Sequence, residues 1–183
     1  EPSSHRSAPG SPAGPAPFPL PPLPEGSAVT THKQLKTEVP QGYTAIRTPA
    51  DFMKIAENPS GKYILMNNIS LEQVKLAEGQ TSYIMKRFEG ELDGNNQVIH
   101  GLRASLFDSI SGTSSKKAVV KNLRVQNVFV NAGYKDIFDW QGKPVLAEAN
   151  GLAREVSNGR LETIYMNCVK LNGGGNTGAL GGL

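Results

Sequence analysis

Apolar and polar positions alternate over much of the second half of the chain, and the pattern returns at fixed distances. Val120, Leu123, Val125, Val128 and Val130, followed by Asn131, reappear 41 residues later as Leu161, Ile164, Met166, Val169, Leu171 and Asn172. A second pairing lies outside the first: Leu106, Ile110 and Ser111 match Leu152, Val156 and Ser157, 46 residues later. The offsets differ, so loops vary in length while the strand pattern is kept. Short β-rich units that return with inserted loops predict an all-β fold, a right-handed parallel β-helix in which each unit buries its apolar face by stacking on the next.

The same reading places the remaining elements. Thr48-Pro49-Ala50-Asp51 supplies a hydroxyl N-cap, a proline at the first helical position and a carboxylate in the first turn. Phe52, Ile55 and Ala56 then share one face, and Asn58-Pro59-Ser60-Gly61 stops the helix. This short amphipathic helix is expected to cap the N-terminal end of the stack. Tyr63, Leu65, Ile69 and Leu71 form a first strand layer. Phe88, Leu92, Val98, Ile99 and Leu102 form a second, turning at Asp93-Gly94-Asn95-Asn96. Residues 132–149 interrupt the period and carry the only tryptophan, Trp140. After the last layer, Gly173-Gly174-Gly175 and Gly178-Ala179-Leu180-Gly181-Gly182-Leu183 suggest a further unit cut short, hence a piece of a larger or processed protein.

Residues 1–41 differ in kind. Nine of the 13 prolines fall in the first 24 residues, with almost nothing aliphatic to bury, so a solvated, disordered Pro-rich tail or linker is expected ahead of a domain spanning 42–183. Phe18-Pro19-Leu20-Pro21-Pro22-Leu23-Pro24 has the spacing an SH3-type groove reads, although a stiff spacer explains it as well. The net charge of +3 comes from 19 basic against 16 acidic residues spread along the chain, with no phosphate-binding stripe, which argues against nucleic acid. No run of about 18 apolar residues offers a membrane span, and the single cysteine, Cys168, excludes an intrachain disulfide.

FEGELDGNNQVIHGL, SLFDSISG, AVVKNLRVQNVFVN, NGLAREVSNG and TGALGGL, preceded by ADFMKIAENPSGKYILMNNISL, resemble the β-helical, GLUG-motif regions of bacterial secreted and surface proteins. Among these is the region that precedes the catalytic domain of immunoglobulin A protease-type zinc metallopeptidases. The resemblance covers roughly residues 44–183. It implies a secreted or surface location and a parent whose protease domain lies elsewhere.

Catalytic candidates are sparse. A zinc protease needs H-E-x-x-H, and the three histidines His5, His32 and His100 do not form it. Glu89, Glu91, Asp93 and Asp108 are the clustered carboxylates that a glycosidase or lyase could use. Asp93 is also explained by its turn, and Glu89 and Glu91 by a solvated strand face. Cys168 has no histidine near it in sequence and fits a buried or strand-turn role better than a nucleophile. Asn122, Asn127, Asn131, Asn167 and Asn172 suit stacked corners. Asp93-Gly94-Asn95-Asn96 is too incomplete for calcium, and Gly173-Gly174-Gly175 lacks the lysine of a phosphate loop. Asn68-Ile69-Ser70 is a formal glycosylation sequon. No metal or cofactor is expected.

The aromatic insertion, with Tyr134, Phe138, Asp139 and Trp140, is the candidate binding site, since rings outside a periodic core can anchor a partner; folding back onto the core is the competing reading. The chain therefore reads as a non-catalytic binding or scaffold region of a secreted or surface bacterial virulence protein that engages a host protein or glycoprotein. The alternatives are a translocated effector acting inside the host cell, and a β-helical carbohydrate-active enzyme. An open C-terminal edge predicts self-association.

Overall fold

The computed structural model describes residues 35–133 and 149–173, all within one compact unit, Lys33–Leu183. Residues 1–34, most of the expected tail, lie outside the described residues, as does the insertion from 134 to 148.

The chain enters through β1 (Thr44–Ile46) and a short helix, α1 (Pro49–Met53), which runs into a 3-10 turn at Lys54–Ala56. Thr48 accepts from the Asp51 amide at 3.1 Å while the Asp51 carboxylate takes the Thr48 amide at 3.0 Å, a reciprocal capping box. Phe52 and Ile55 are buried, and the Phe52 ring lies 6.1 Å from that of Phe107, which in turn packs 4.9 Å from Phe88. Nine strands follow: β2 (Lys62–Leu65), β3 (Ile69–Ser70), β4 (Ser82–Ile84), β5 (Glu91–Asp93), β6 (Val98–His100), β7 (Ser105–Ser111), β8 (Ala118–Gly133), β9 (Ala153–Ser157) and β10 (Gly159–Gly173).

Every ladder among them is parallel. A seven-stranded sheet has the order β1-β2-β5-β8-β6-β3 with β10 also on β8, and a three-stranded sheet has the order β4-β7-β9. Both repeat offsets are ladder registers. Leu161 lies opposite Val120, Ile164 opposite Leu123 and Met166 opposite Val125, while Val156 lies opposite Ile110 and Ser157 opposite Ser111. Parallel pairing in register sets like residues over like, so apolar columns run across the sheet. One column is Tyr63, Leu92, Val120 and Leu161; another is Ile69, Ile99, Val125 and Met166. Leu92, Ile99, Val120 and Val125 are fully buried, and burial of each such side chain contributes about 1.5–3 kcal/mol.

The expected right-handed parallel β-helix is corrected by this topology. The strands divide between two unequal sheets, and their lengths run from two residues in β3 to 16 in β8. The seven-stranded sheet also branches: β5 pairs with β8 at residues 119–121 and β6 with β8 at residues 124–126. Strands of such unequal length and a branched sheet do not make stacked units of one size. The physical reason is that a two-residue apolar period fixes only which face of a strand is buried, and an in-register repeat needs only a parallel neighbour, so separate sheets satisfy both as well as a coil does.

Strands β8 and β10 kink where residues adopt the left-handed region. Asn122 (φ 52°) and Asn127 (φ 55°) lie in β8, Thr163 (φ 53°) and Cys168 (φ 54°) in β10. Asparagine tolerates this conformation; threonine and cysteine do so at a cost. The backbones approach closely at the turn after β5, where a Cβ on Gly94 would meet the Asn122 carbonyl oxygen and the Leu123 Cα at 2.5 Å.

Candidate functional site

The densest polar cluster of the described residues is built on β5, where Glu91 and Asp93 flank the core residue Leu92. Glu91 accepts from the Tyr43 hydroxyl and from the Lys121 ammonium, each at 2.5 Å, with Lys62 at 4.0 Å. Lys121 reaches it because β8 lies beside β5, and Lys62 because β2 lies on the other edge. Burial by itself would raise the Glu91 pKa, but the bonds from Lys121 and Tyr43 outweigh it and hold the carboxyl below its usual range. The same contacts act in reverse on the partners. Burial and the Glu91 bond push the Tyr43 phenol up to about 12. Burial would lower Lys121, yet its bond to Glu91 leaves it raised.

Asp93 is fully buried. Its carboxylate accepts from the Asn95 amide at 2.9 Å, from Asn122 Nδ2 at 3.0 Å and from Lys36 Nζ at 2.7 Å. Burial disfavours its charge, and the bonds from Lys36, Asn122 and Asn95 more than reverse this, so its pKa is lowered. Asn95 also pairs with the Lys36 backbone in both directions, accepting its N–H at 2.7 Å and donating to its carbonyl at 3.0 Å, and donates to the Leu65 carbonyl at 3.1 Å. The segment around Lys36 is thereby strapped onto the turn, within the stretch the sequence suggested was solvated tail.

The other carboxylates are ion-paired as well. Glu89 meets Arg87, and Asp108 on β7 receives a two-pronged contact from Arg154 on β9 at 3.0 and 3.1 Å. General acid–base cleavage of a sugar needs one carboxyl raised and one ionised. Glu91 and Asp93 are both shifted downward, and their bonds tie β5 to β8 and to the segment around Lys36.

His100 lies on β6 opposite Gln126, partly buried. Cys168 is exposed at a kink of β10, with its Sγ 3.4 Å from Asn167 Oδ1, so its place is a strand bend and not the core. Asn172 Nδ2 donates to Asn131 Oδ1 at 3.2 Å across the β8–β10 ladder, whereas Asn167 lies opposite Gln126. Among the described residues, no group of three His, Cys, Asp or Glu side chains is placed to hold a metal, and no helix is long and apolar enough to cross a membrane. Tyr134, Phe138, Asp139 and Trp140 lie outside the described residues.

Sequence reasoning missed a second exposed aromatic feature. Phe129 on β8 and Tyr165 on β10 are 38% and 52% exposed. Arg103 and Lys170 sit 5.8 and 5.5 Å from the Phe129 ring, and Arg124 sits 5.9 Å from that of Tyr165, within range of cation–π attraction. The signal was available in the 41-residue repeat, which sets Phe129 opposite Lys170 and Arg124 opposite Tyr165 at outward positions.

Comparison with known proteins gives a consistent picture. Residues 47–167 match the family model described as the M26 IgA1-specific metallo-endopeptidase N-terminal region. An immunoglobulin A1 protease of Streptococcus pneumoniae is 36% identical over 75 residues, 39% of this chain and 4% of the relative. One from Streptococcus sanguinis is 37% identical over 87 residues, 45% of this chain and 4% of the relative. The zinc metalloprotease ZmpC of Streptococcus pneumoniae is 32% identical over 97 residues, 51% of this chain and 5% of the relative. The chain thus aligns with only a small part of these long proteins, and no solved structure matches it. With its family match running from the capped helix into β10, the chain belongs to the M26 IgA1-specific metallo-endopeptidase N-terminal region family.

Proposed function

We propose that this region is a non-catalytic binding or scaffold part of a secreted or surface-exposed bacterial virulence protein of the protease type, and that it helps the parent engage a host glycoprotein such as an immunoglobulin. The observation that carries the reading is the family match over residues 47–167 to an N-terminal region. The names of the relatives support the choice of partner. The chemistry agrees: H-E-x-x-H is absent from the sequence, and Glu89, Glu91, Asp93 and Asp108 are committed to ion pairs. Such contacts position strands, which supports a structural role for these four carboxylates.

The test is capture of proteins from human secretions, and of purified immunoglobulin A1, on the immobilised chain. Two sets of variants run beside the wild type: Trp140→Ala with Phe138→Ala in the insertion, and Phe129→Ala with Tyr165→Ala on the outer strand face. Saturable retention of immunoglobulin that one set weakens supports the reading and locates the surface. Secretions that leave nothing bound, together with purified immunoglobulin that does not bind at micromolar concentration, would refute host engagement.

A further inference from the structure

The outward face of the β8–β10 ladder carries a periodic stripe. Pairing in register sets Arg124 beside Tyr165, Gln126 beside Asn167, Phe129 beside Lys170 and Asn131 beside Asn172. Val125, Val128 and Val130, which alternate with the β8 members of these pairs, are buried, so the pairs belong to the opposite face. A ring with a cation thus alternates twice with two side-chain amides, over a length of about 23 Å at ~3.3 Å per residue. Both rings are open to solvent, Phe129 at 38% and Tyr165 at 52%. Arg103 joins the second ring because the Phe129 amide donates to the Leu102 carbonyl at 2.8 Å, which holds the loop after β6 against β8.

Charge and hydrogen-bonding chemistry restrict what this stripe fits. Segments 124–131 and 165–172 contain no aspartate or glutamate, and Glu162, the carboxylate of β10 just before them, is ion-paired with Arg160. Arg103, Arg124 and Lys170 therefore present a positive surface that complements an anion. No aliphatic residue stands at the outward positions, so the face lacks the apolar side-chain pockets by which an extended peptide is read. Side-chain amides donate and accept at once, as sugar hydroxyls do. Exposed aromatic rings offer a flat apolar surface to the C–H face of a pyranose. Ring, amide and cation in alternation match a short chain of sugars in which one unit bears a carboxylate.

We propose that this stripe binds the acidic glycan chains of a glycoprotein, with Phe129 and Tyr165 under sugar rings and the cations beside them taking the carboxylate of a sialic-acid type of sugar. The proposal rests on the reading that the region engages a host glycoprotein, and it adds the ligand class and the surface. The ladder register fixes the spacing of rings and cations, so the face is ordered before the ligand arrives and little ordering cost attaches to binding.

The probe is sialyl-N-acetyllactosamine, added to the full chain at up to about 10 mM and followed by amide chemical shifts. Neutral N-acetyllactosamine, a uronate polymer and a single-stranded oligonucleotide serve as comparisons. Expected are shifts at residues 124–131, 165–172 and around Arg103, with the neutral sugar binding at least about tenfold more weakly. Tyr165→Ala should weaken binding at least about fivefold, and Lys170→Glu should reduce the preference for the acidic sugar to below about threefold. Both side chains are exposed, and spectra of the variants without ligand establish that they fold. Retention of immunoglobulin A1 is measured alongside, before and after sialidase treatment. Equal retention, with no oligosaccharide bound, overturns the inference and leaves host engagement standing. Oligosaccharide bound on the stripe while no host glycoprotein is retained supports the ligand assigned to the stripe, and the reading of host engagement alone falls. Equal binding of acidic and neutral sugar, shifts confined to other residues, or tighter binding of the uronate polymer or the oligonucleotide also overturns the inference.

Discussion

Replacing Asp93 with alanine should destabilise the chain by about 3 kcal/mol at pH 7. The carboxylate is buried and accepts three hydrogen bonds, from the Asn95 amide, Asn122 Nδ2 and Lys36 Nζ. Two of the donors would be left without an acceptor in the interior, at about 1–3 kcal/mol each. The third, Lys36, has a side chain 41% exposed and regains water, so its loss adds about 0.5 kcal/mol or less. Relief of the burial cost of a charge offsets part of this total. The pH dependence has a definite sign. The Asp93 pKa is lowered in the folded protein, so its contribution is fully present above the unfolded value of about 3.9 and is lost as pH falls through the folded one. Urea unfolding of wild type and Asp93→Ala between pH 7 and pH 2 provides the measurement. Glu91 and Asp51, also shifted downward, titrate in both proteins and largely cancel in the difference. A difference below about 1 kcal/mol at pH 7, or one that stays constant to about pH 2, would refute the reasoning.

Cys168→Asn should stabilise by about 1 kcal/mol in the same assay, because it places at a left-handed position of β10 the residue type that β8 uses there; unchanged or lowered stability would count against strain at that kink. Gly94→Ala should cost about 1–3 kcal/mol, since its methyl would press on the backbone of Asn122 and Leu123; a neutral outcome would mean that the turn relaxes easily. Ultraviolet titration should show the Tyr43 phenol ionising near pH 12, a step missing in Tyr43→Phe and moved downward in Glu91→Gln, which removes the charge beside it.

Ladder register was legible in the sequence, because parallel in-register pairing lays Val120 under Leu161 and Ile110 under Val156, and these are the residues that repeat. The capped helix was legible for a similar reason: Thr48, Pro49 and Asp51 act over a single turn. Sheet arrangement was not, since a period of two records which face is buried and says nothing about which strands share a sheet. Nor was the strap. Lys36 and Asp93 are 57 positions apart, and the proline-rich stretch before Lys36 suggested solvent. Glu91 was misread as a solvated residue because its alternation with Leu92 is local, whereas Lys121 and Tyr43 arrive from distant segments. Thr163 and Cys168 carry no turn signature of their own; only their alignment with Asn122 and Asn127 marks them as kinks.

Strand β8 bears a disproportionate share of the fold. It pairs with β5 and β6 at different points of its length and with β10 on a further ladder, and its inward residues from Ala118 to Val125 are fully buried. Opening β8 therefore breaks three ladders and uncovers the central columns, while opening β10 breaks one ladder and exposes side chains that are already part-exposed. Local opening free energies should follow that difference. Native-state amide exchange should give residues 120–125 protection close to that of global unfolding and residues 161–171 distinctly less. Equal protection along β8 and β10 would mean that the last layer is held as firmly as the centre of the sheet, and the single ladder of β10 would not set its stability.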